Sequence, residues 1–254
     1  MKIAAAAVLA ALPCLAYADL GPSRTNTGKI EVKDNKPYRL DADAGYLLNS
    51  SKSGGKSSSK ENLAAHLLFQ RQAGIWGQEL RAEAVSTNDD GDSSNNVERY
   101  MLAGKLLYRS TDTAYQYLKL QGDKDLSSSL DYQIALTGGI GLDLIKAQKQ
   151  SLTTELGAGY RHSKERGFPY ADVHELIGTL GLYYQYQFND TVRFNQDLGY
   201  EFGDESQVLR SRSSISANLT ETISAVMSYQ LKDTLADSGN SRDSLLSVGM
   251  KYSY

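Results

Sequence analysis

Apolar and polar residues alternate over most of the chain, and the pattern is clearest at its C-terminal end. In the closing segment SLLSVGMKYSY every second residue is apolar or aromatic, namely Leu246, Val248, Met250, Tyr252 and Tyr254. The positions between them carry Ser, Gly and Lys. Successive side chains of a β-strand point to opposite faces, so a period of two predicts a strand with one apolar and one polar face.

The same alternation predicts twelve strands, at 38–48, 62–73, 77–87, 97–109, 113–122, 130–144, 151–162, 173–188, 191–202, 207–219, 222–232 and 242–254. Each is near or above the roughly ten residues that a tilted strand needs to cross a bilayer. Connections after odd-numbered strands, such as SSKSGGKSSSK and NDDGDSSNN, are mostly long and polar, and the others are mostly short. This asymmetry is typical of outer-membrane barrels. We therefore predict an all-β fold, an antiparallel up-and-down transmembrane β-barrel of about twelve strands.

Parity assigns the two faces of each strand. The eighth strand has Leu176, Leu180 and Leu182 on one face, with Glu175 and Thr179 on the other. In a membrane barrel the apolar face meets lipid and the polar face lines the lumen. The alternative is a soluble sandwich or lipocalin-like barrel, in which the apolar face points inward.

The N-terminus predicts a secretory signal peptide over residues 1–18. Lys2 precedes a short apolar run, and Ala16-Tyr17-Ala18 forms a small-residue cleavage box. The chain's one cysteine, Cys14, lies inside this segment, and the preceding Pro13 disfavours a lipoprotein. The mature chain would then lack disulfides and thiol chemistry. Residues 19–37 form a short periplasmic lead-in and residues 38–254 the barrel.

The net charge and the predicted localisation limit the classes of binding partner that we expect. The chain has 27 basic and 30 acidic residues, and removal of Lys2 leaves a net charge of −4, unlike the basic footprint of a nucleic-acid binder. We expect the outer membrane of a Gram-negative bacterium, a monomer and no cofactor. The expected partners are outer-membrane lipid and lipopolysaccharide, and the barrel-assembly machinery through the strand that ends at Tyr254.

Several segments carry a family resemblance. They include GYLLNSSKSGGKSSSKENLAAHLLFQ, VERYMLAGKLLYRSTDTAYQYLKLQGDKD, DYQIALTGGIGLDLI and RDSLLSVGMKYSY. The ordered series, with a Gly-x-Gly at Gly139 and Gly141, resembles the salt-induced outer-membrane protein family, which has the domain of unknown function 481. The resemblance runs from about Tyr38 to Tyr254. It implies an outer-membrane barrel linked to salt or osmotic stress and supplies no catalytic or binding residues.

The polar face predicts a charged lumen. Its candidate lining residues are Arg39, Asp41, Asp43, His66, Arg81, Glu83, Arg99, Lys119, Asp131, Arg161, Glu175, Arg193, Asp197, Glu201, Arg210, Arg212, Lys232 and Asp243. Pairing about the centre of each long loop predicts five ion pairs, Glu83–Arg99, Lys119–Asp131, Arg161–Glu175, Glu201–Arg210 and Lys232–Asp243. These charges could simply keep the interior wet and neutral, or they could form a balanced constriction that passes small polar solutes with weak ion preference.

Enzymatic activity is not predicted, although a lipid- or envelope-modifying hydrolase stays open as an alternative. His162 and His174 have lipid-facing parity and would be neighbours at the outer rim, where a base could act on lipid. Ser163 has the opposite parity and Ser211 belongs to a later strand, so no serine completes a nucleophile–base pair. His66 points inward and fits a polar lumen group better than a base.

Metal binding has little support. Three scattered histidines give no tetrahedral site, and NDDGDSSNN lacks the spacing of an EF-hand. Asp41 and Asp43 form an inward carboxylate pair that could share a proton or face cations across the lumen.

The predicted function is a narrow channel or a structural, stress-associated envelope protein. A surface adhesin or receptor that uses the outer loops is a further alternative.

Overall fold

The computed structural model describes residues 38–53, 56–89, 97–126, 130–165, 172–236 and 241–253. The signal peptide and the lead-in lie outside these ranges, as does most of NDDGDSSNN, residues 90–96. The strands are β1 Tyr38–Ser53, β2 Lys56–Ala73, β3 Trp76–Asp89, β4 Val97–Arg109, β5 Ala114–Asp125, β6 Leu130–Lys146, β7 Gln150–Glu165, β8 Asp172–Gln187, β9 Val192–Gly203, β10 Ser206–Asn218, β11 Ile223–Ala236 and β12 Ser241–Ser253.

The twelve strands form one closed barrel. Each strand pairs antiparallel with its neighbours in the sequence, and β1 pairs with β12 to complete the wall. The predicted fold class and all twelve predicted strands are confirmed. Within the described residues, no helix has the length and apolar character needed to cross a bilayer.

The apolar faces of the strands point outward and stay exposed. Leu176 is 74% exposed, Leu102 and Leu156 are each 57% exposed, and Met250 is 56% exposed. A water-soluble barrel of the lipocalin type would bury such side chains in its interior. The distribution is therefore that of a barrel whose exterior meets lipid.

Short turns close one end of the barrel, which we call the short-turn rim. Between β2 and β3 the chain reverses over Gly74 and Ile75, and Gly74 has a φ of 61°, a conformation that only glycine adopts without strain. In three other turns a side chain holds the backbone: Thr111 accepts from the N–H of Ala114, Asn189 from that of Val192, and Thr220 from that of Ile223. Polar side chains of this kind stabilise tight reversals.

The opposite end, which we call the long-loop rim, differs from the prediction in its strand lengths. The segment SSKSGGKSSSK was predicted to be a loop, but β1 extends to Ser53 and β2 begins at Lys56. Their ladder continues from Tyr38 opposite Arg71 to Ser53 opposite Lys56. Weak strand propensity in Ser and Lys is overridden here because each strand already has a hydrogen-bonding partner.

The joint between β1 and β12 is the shortest ladder of the wall. It runs from Asp41 opposite Ser253 to Tyr46 opposite Val248, a register of six pairs. Gly45 faces Gly249 within it, and a Cβ on Gly249 would overlap the carbonyl oxygen of Ala44. Above Tyr46 and Val248 the register pairs no described residues of these two strands, so the joint is confined to its part nearer the short-turn rim.

Candidate functional site: the barrel lumen

The inner face of the barrel is polar on every strand. Each of the twelve strands contributes at least one buried polar or charged side chain, for example Asp41, His66, Glu83, Lys105, Gln121, Asp143, Glu155, Glu175, Asp197, Arg212, Ser228 and Ser247. Buried apolar side chains form two small clusters, one around Val85 and Met101 and one around Leu107 and Tyr115. The interior is therefore a hydrophilic lumen rather than an apolar core.

Where the structure describes their side chains, the residues proposed as lumen-lining from parity fall on this inner face. The structure buries Asp41, His66, Arg81, Glu83, Arg99, Arg161, Glu175, Asp197 and Arg212. It half-buries Arg39, Asp43, Lys119, Asp131, Arg193, Glu201, Arg210 and Lys232. For Asp243 it gives the backbone register, which is opposite Lys232.

Among the side chains that the structure describes, two of the five predicted ion pairs form, and they join into one network. Arg161 and Glu175 are register partners, with 2.6 Å between Nη2 and Oε1. Arg161 also reaches Glu201 at 3.3 Å, and Glu201 accepts from Arg210 at 2.6 Å. The resulting chain of alternating charges crosses β7, β8, β9 and β10 near the long-loop rim.

Two predicted pairings across the loops are wrong in register. Glu83 lies opposite Met101, and Arg99 lies opposite Val85. Lys119 lies opposite Thr137 rather than Asp131. The assumed loop centres misplaced the register, because the composition of a polar loop does not fix how the two strands beside it align.

Glu83 instead belongs to a network on β1, β2 and β3. Its carboxylate lies 3.5 Å from Arg81 and 4.0 Å from Nε2 of His66. The other ring nitrogen of His66 is 2.7 Å from Asp43, which Arg212 approaches at 3.6 Å. Since β11 and β12 separate Arg212 from β1, this last contact crosses part of the lumen.

The inward carboxylates Asp41 and Asp43 face cations rather than each other. Asp41 accepts from Arg39 at 2.8 Å and lies 3.0 Å from Nζ of Lys251. Asp43 pairs with His66, as described above. Of the two arrangements left open by the sequence, the structure shows the one with opposite charges.

A third network, nearer the short-turn rim, was missed by the sequence analysis. Nζ of Lys105 lies 2.5 Å from Glu155, and the hydroxyl of Tyr115 donates to the same carboxylate oxygen. Lys105 also lies 4.3 Å from the ring centroid of Tyr117, a cation–π distance. These residues stand on β4, β5 and β7, so pairing within hairpins could not find them. Their inward parity and opposite charge were the available signals.

Glycines on β6 and β7 make room for the two tyrosines. A Cβ on Gly141 would overlap the ring of Tyr115, and one on Gly139 would overlap the carbonyl oxygen of Leu156 and lie 2.9 Å from Cζ of Tyr117. A Cβ on Gly157 would overlap the Tyr117 hydroxyl. The Gly-x-Gly motif therefore lets aromatic side chains of β5 lie flat against the neighbouring wall.

At one level of the lumen the free space is small. A cavity of about 40 Å³, enough for one water molecule, lies between Tyr117, Lys119, Asp123, Glu201 and Arg210. Charged and aromatic side chains thus fill the cross-section at this level.

The outward histidines are neighbours, as their parity predicted. His162 and His174 are register partners on β7 and β8. Ser163 points inward and accepts from Gln133, and Ser211 accepts from Gln196. In the described part of the chain, no group of three or more His, Cys, Asp or Glu side chains is placed to hold a metal ion.

A family model matches residues 42–254, and its description is "Protein of unknown function, DUF481". The chain belongs to the DUF481 family. This membership confirms the resemblance to the family with the domain of unknown function 481. No curated protein matches the sequence.

Solved structures similar to the chain are barrels at low sequence identity. The translocator domain of the autotransporter NalP from Neisseria meningitidis is 12% identical, with 86% of this chain and 89% of that chain covered and a TM-score of 0.48. The NanC porin is 10% identical, with 84% and 97% covered and a TM-score of 0.48. The KdgM porin is 13% identical, with 85% and 99% covered and a TM-score of 0.44.

Proposed function

We propose that the protein is a narrow channel for small polar solutes in the outer membrane of a Gram-negative bacterium. The observation that carries the proposal is the inversion of polarity across the wall: exposed leucines outside, and buried ion pairs inside on every side of the lumen. A barrel interior of this kind is hydrated, and lining charges determine what passes through it.

Buried polar atoms support a wet interior. Nδ2 of Asn62, Oε2 of Glu83 and Oγ1 of Thr137 have no hydrogen-bond partner among the described residues. Buried polar groups are normally satisfied by protein or by ordered water. Water in the lumen would satisfy these atoms and would form the path for a small solute.

The charge balance favours weak ion selectivity. Arg161 and Arg210 alternate with Glu175 and Glu201, so a passing ion meets both signs within a few ångströms. A ring of one sign would instead select strongly for counter-ions.

The proposal includes the orientation of the barrel in the outer membrane and a role in salt or osmotic stress. The short-turn rim faces the periplasm, the long-loop rim faces outward toward lipopolysaccharide, and the C-terminal strand β12 is the segment that the assembly machinery binds. The link to salt or osmotic stress comes from the family resemblance.

A planar-bilayer experiment tests the channel. The full chain is expressed in a Gram-negative host, purified from outer membranes in detergent, and recorded at several salt concentrations. We expect small, steady unitary conductance. A variant with Lys105→Ala and Glu155→Ala removes the crossing contact and shortens both side chains, so it should raise the conductance, whereas the exterior substitution Leu156→Ala should leave it unchanged.

The narrowness of the lumen favours a second candidate, a closed barrel with a structural role in the envelope. The barrel would then stay closed, and its cavity of about 40 Å³ would not widen. Electrical silence of correctly inserted protein, in both the wild type and the Lys105/Glu155 variant, would favour this candidate over the channel.

A further inference from the structure

A cluster of histidine and tyrosine side chains lies outside the lumen, on the face that meets lipid. His162 and His174 face each other across β7 and β8, near the long-loop rim. Their rings are stacked with centroids 4.4 Å apart and planes inclined by 22°. The two Nδ1 atoms are only 3.1 Å apart.

Two tyrosines complete the cluster. The hydroxyl of Tyr160 lies 2.7 Å from Nδ1 of His174, and the hydroxyl of Tyr132 lies 3.4 Å from Nε2 of His162. Nδ1 of His174 therefore has two polar neighbours, His162 and Tyr160, but a neutral imidazole nitrogen has only one in-plane lone pair. At most one of the two neighbours can donate to it with good geometry.

We propose that His162 and His174 form a binding site for a divalent transition-metal ion of the zinc type, with Tyr160 as a third donor. Zn–N bonds of about 2.0–2.1 Å place neighbouring ligand atoms of a tetrahedral site about 3.3 Å apart, close to the observed Nδ1 separation. The backbone register already supplies this spacing. Rotation about χ2, which is broad for histidine, turns both lone pairs toward one ion.

The donor set selects the class of ion. Imidazole nitrogens suit zinc, copper and nickel, whereas calcium and magnesium prefer carboxylate and carbonyl oxygens. His174 and Tyr160 are exposed, so an ion can enter from the surface, and water can fill the remaining coordination position. The site is separate from the lumen networks, because its side chains point outward.

Isothermal titration of Zn²⁺ into the untagged full-length protein, purified from outer membranes in detergent, tests the site. We expect one ion per barrel. His162→Ala and His174→Ala should each weaken binding about tenfold or more, as metal-site substitutions commonly do. His66→Ala is the matched control, because it changes the one remaining histidine, which lies in the lumen, and should leave binding unchanged.

Two further measurements separate loss of ligands from loss of fold. Heat-dependent gel mobility verifies that each variant is a closed barrel, and the X-ray absorption spectrum of the zinc-loaded protein should show the scattering pattern of two imidazoles. Absence of binding heat in the wild type, wild-type affinity in a folded His162/His174 double variant, or loss of binding in His66→Ala would each overturn the proposal. Magnesium should produce no heat at this site, and equal binding of magnesium would also contradict it.

Discussion

Lys105 and Glu155 lie 2.5 Å apart, although they are 50 residues apart in sequence and two strands separate them in the wall. Both side chains are buried, at 4% and 5% exposure. This contact therefore joins β4 to β7 across the lumen, and it depends on closure of the barrel rather than on any one hairpin.

Removal of one partner should destabilise the barrel. Lys105→Met leaves the Glu155 carboxylate buried without its main cation, which typically costs about 3–5 kcal/mol. We expect a loss of this order in the free energy of unfolding, measured with guanidinium chloride in lipid or detergent. The double variant Lys105→Met/Glu155→Leu should recover much of it, because neither charge remains. A single variant as stable as the wild type would contradict the assigned contact.

Gly141 should not accept a side chain. Gly141→Ala places a Cβ inside the ring of Tyr115, and overpacking of this kind costs about 1–3 kcal/mol. Gly104→Ala is the matched control, because nothing lies within 4 Å of its Cβ position. It should be neutral or slightly stabilising in the same unfolding assay. Combination of Gly141→Ala with Tyr115→Ala should remove the overlap, so the glycine substitution should cost less in that background.

The two faces of β8 should respond oppositely to charge. Leu180→Lys places an ammonium group on the exterior near the middle of the strand, where lipid contact costs about 2–4 kcal/mol. Thr179→Lys places the same group in the polar lumen and should cost clearly less. Yields of folding into phospholipid vesicles and unfolding free energies measure the difference. Equal costs on both faces would contradict a lipid-facing exterior.

Backbone amides at the β1–β12 joint should exchange first. Hydrogen–deuterium exchange in detergent should show faster exchange around Tyr46 and Val248 than along β6 and β7, because the joint has the shortest register. A disulfide between Tyr46→Cys and Val248→Cys should slow this exchange. The control disulfide Met227→Cys/Val248→Cys joins β11 to β12 and should leave β1 exchanging rapidly.

The fold could be predicted because alternation is a local property. Parity alone placed Leu246 outside and Ser247 inside, and the same rule held for every strand. The pair Arg161–Glu175 was also accessible, since these residues are partners within one hairpin. Lys119 was assigned the wrong partner because the composition of the loop between β5 and β6 does not fix their register, which places Lys119 opposite Thr137.

Contacts between distant strands could not be predicted from the sequence. No local pattern indicates that Arg212 of β10 reaches Asp43 of β1, because that distance is set by the diameter and shear of the closed cylinder. The glycines at 139 and 141 were visible as a motif, but their reason required coordinates: Gly141 makes room for the Tyr115 ring, and Gly139 for the nearby backbone of Leu156 and for the Tyr117 ring.

The packing of Tyr115 and Tyr117 against bare backbone determines how wide the bore of the cylinder can be. Both rings belong to one strand, and neither takes part in the backbone hydrogen bonds between the strands, although the Tyr115 hydroxyl donates to Glu155. Shortening of either side chain would widen the passage and leave the circumference unchanged. The diameter available to a solute can therefore change while the strand pairing of the wall stays the same.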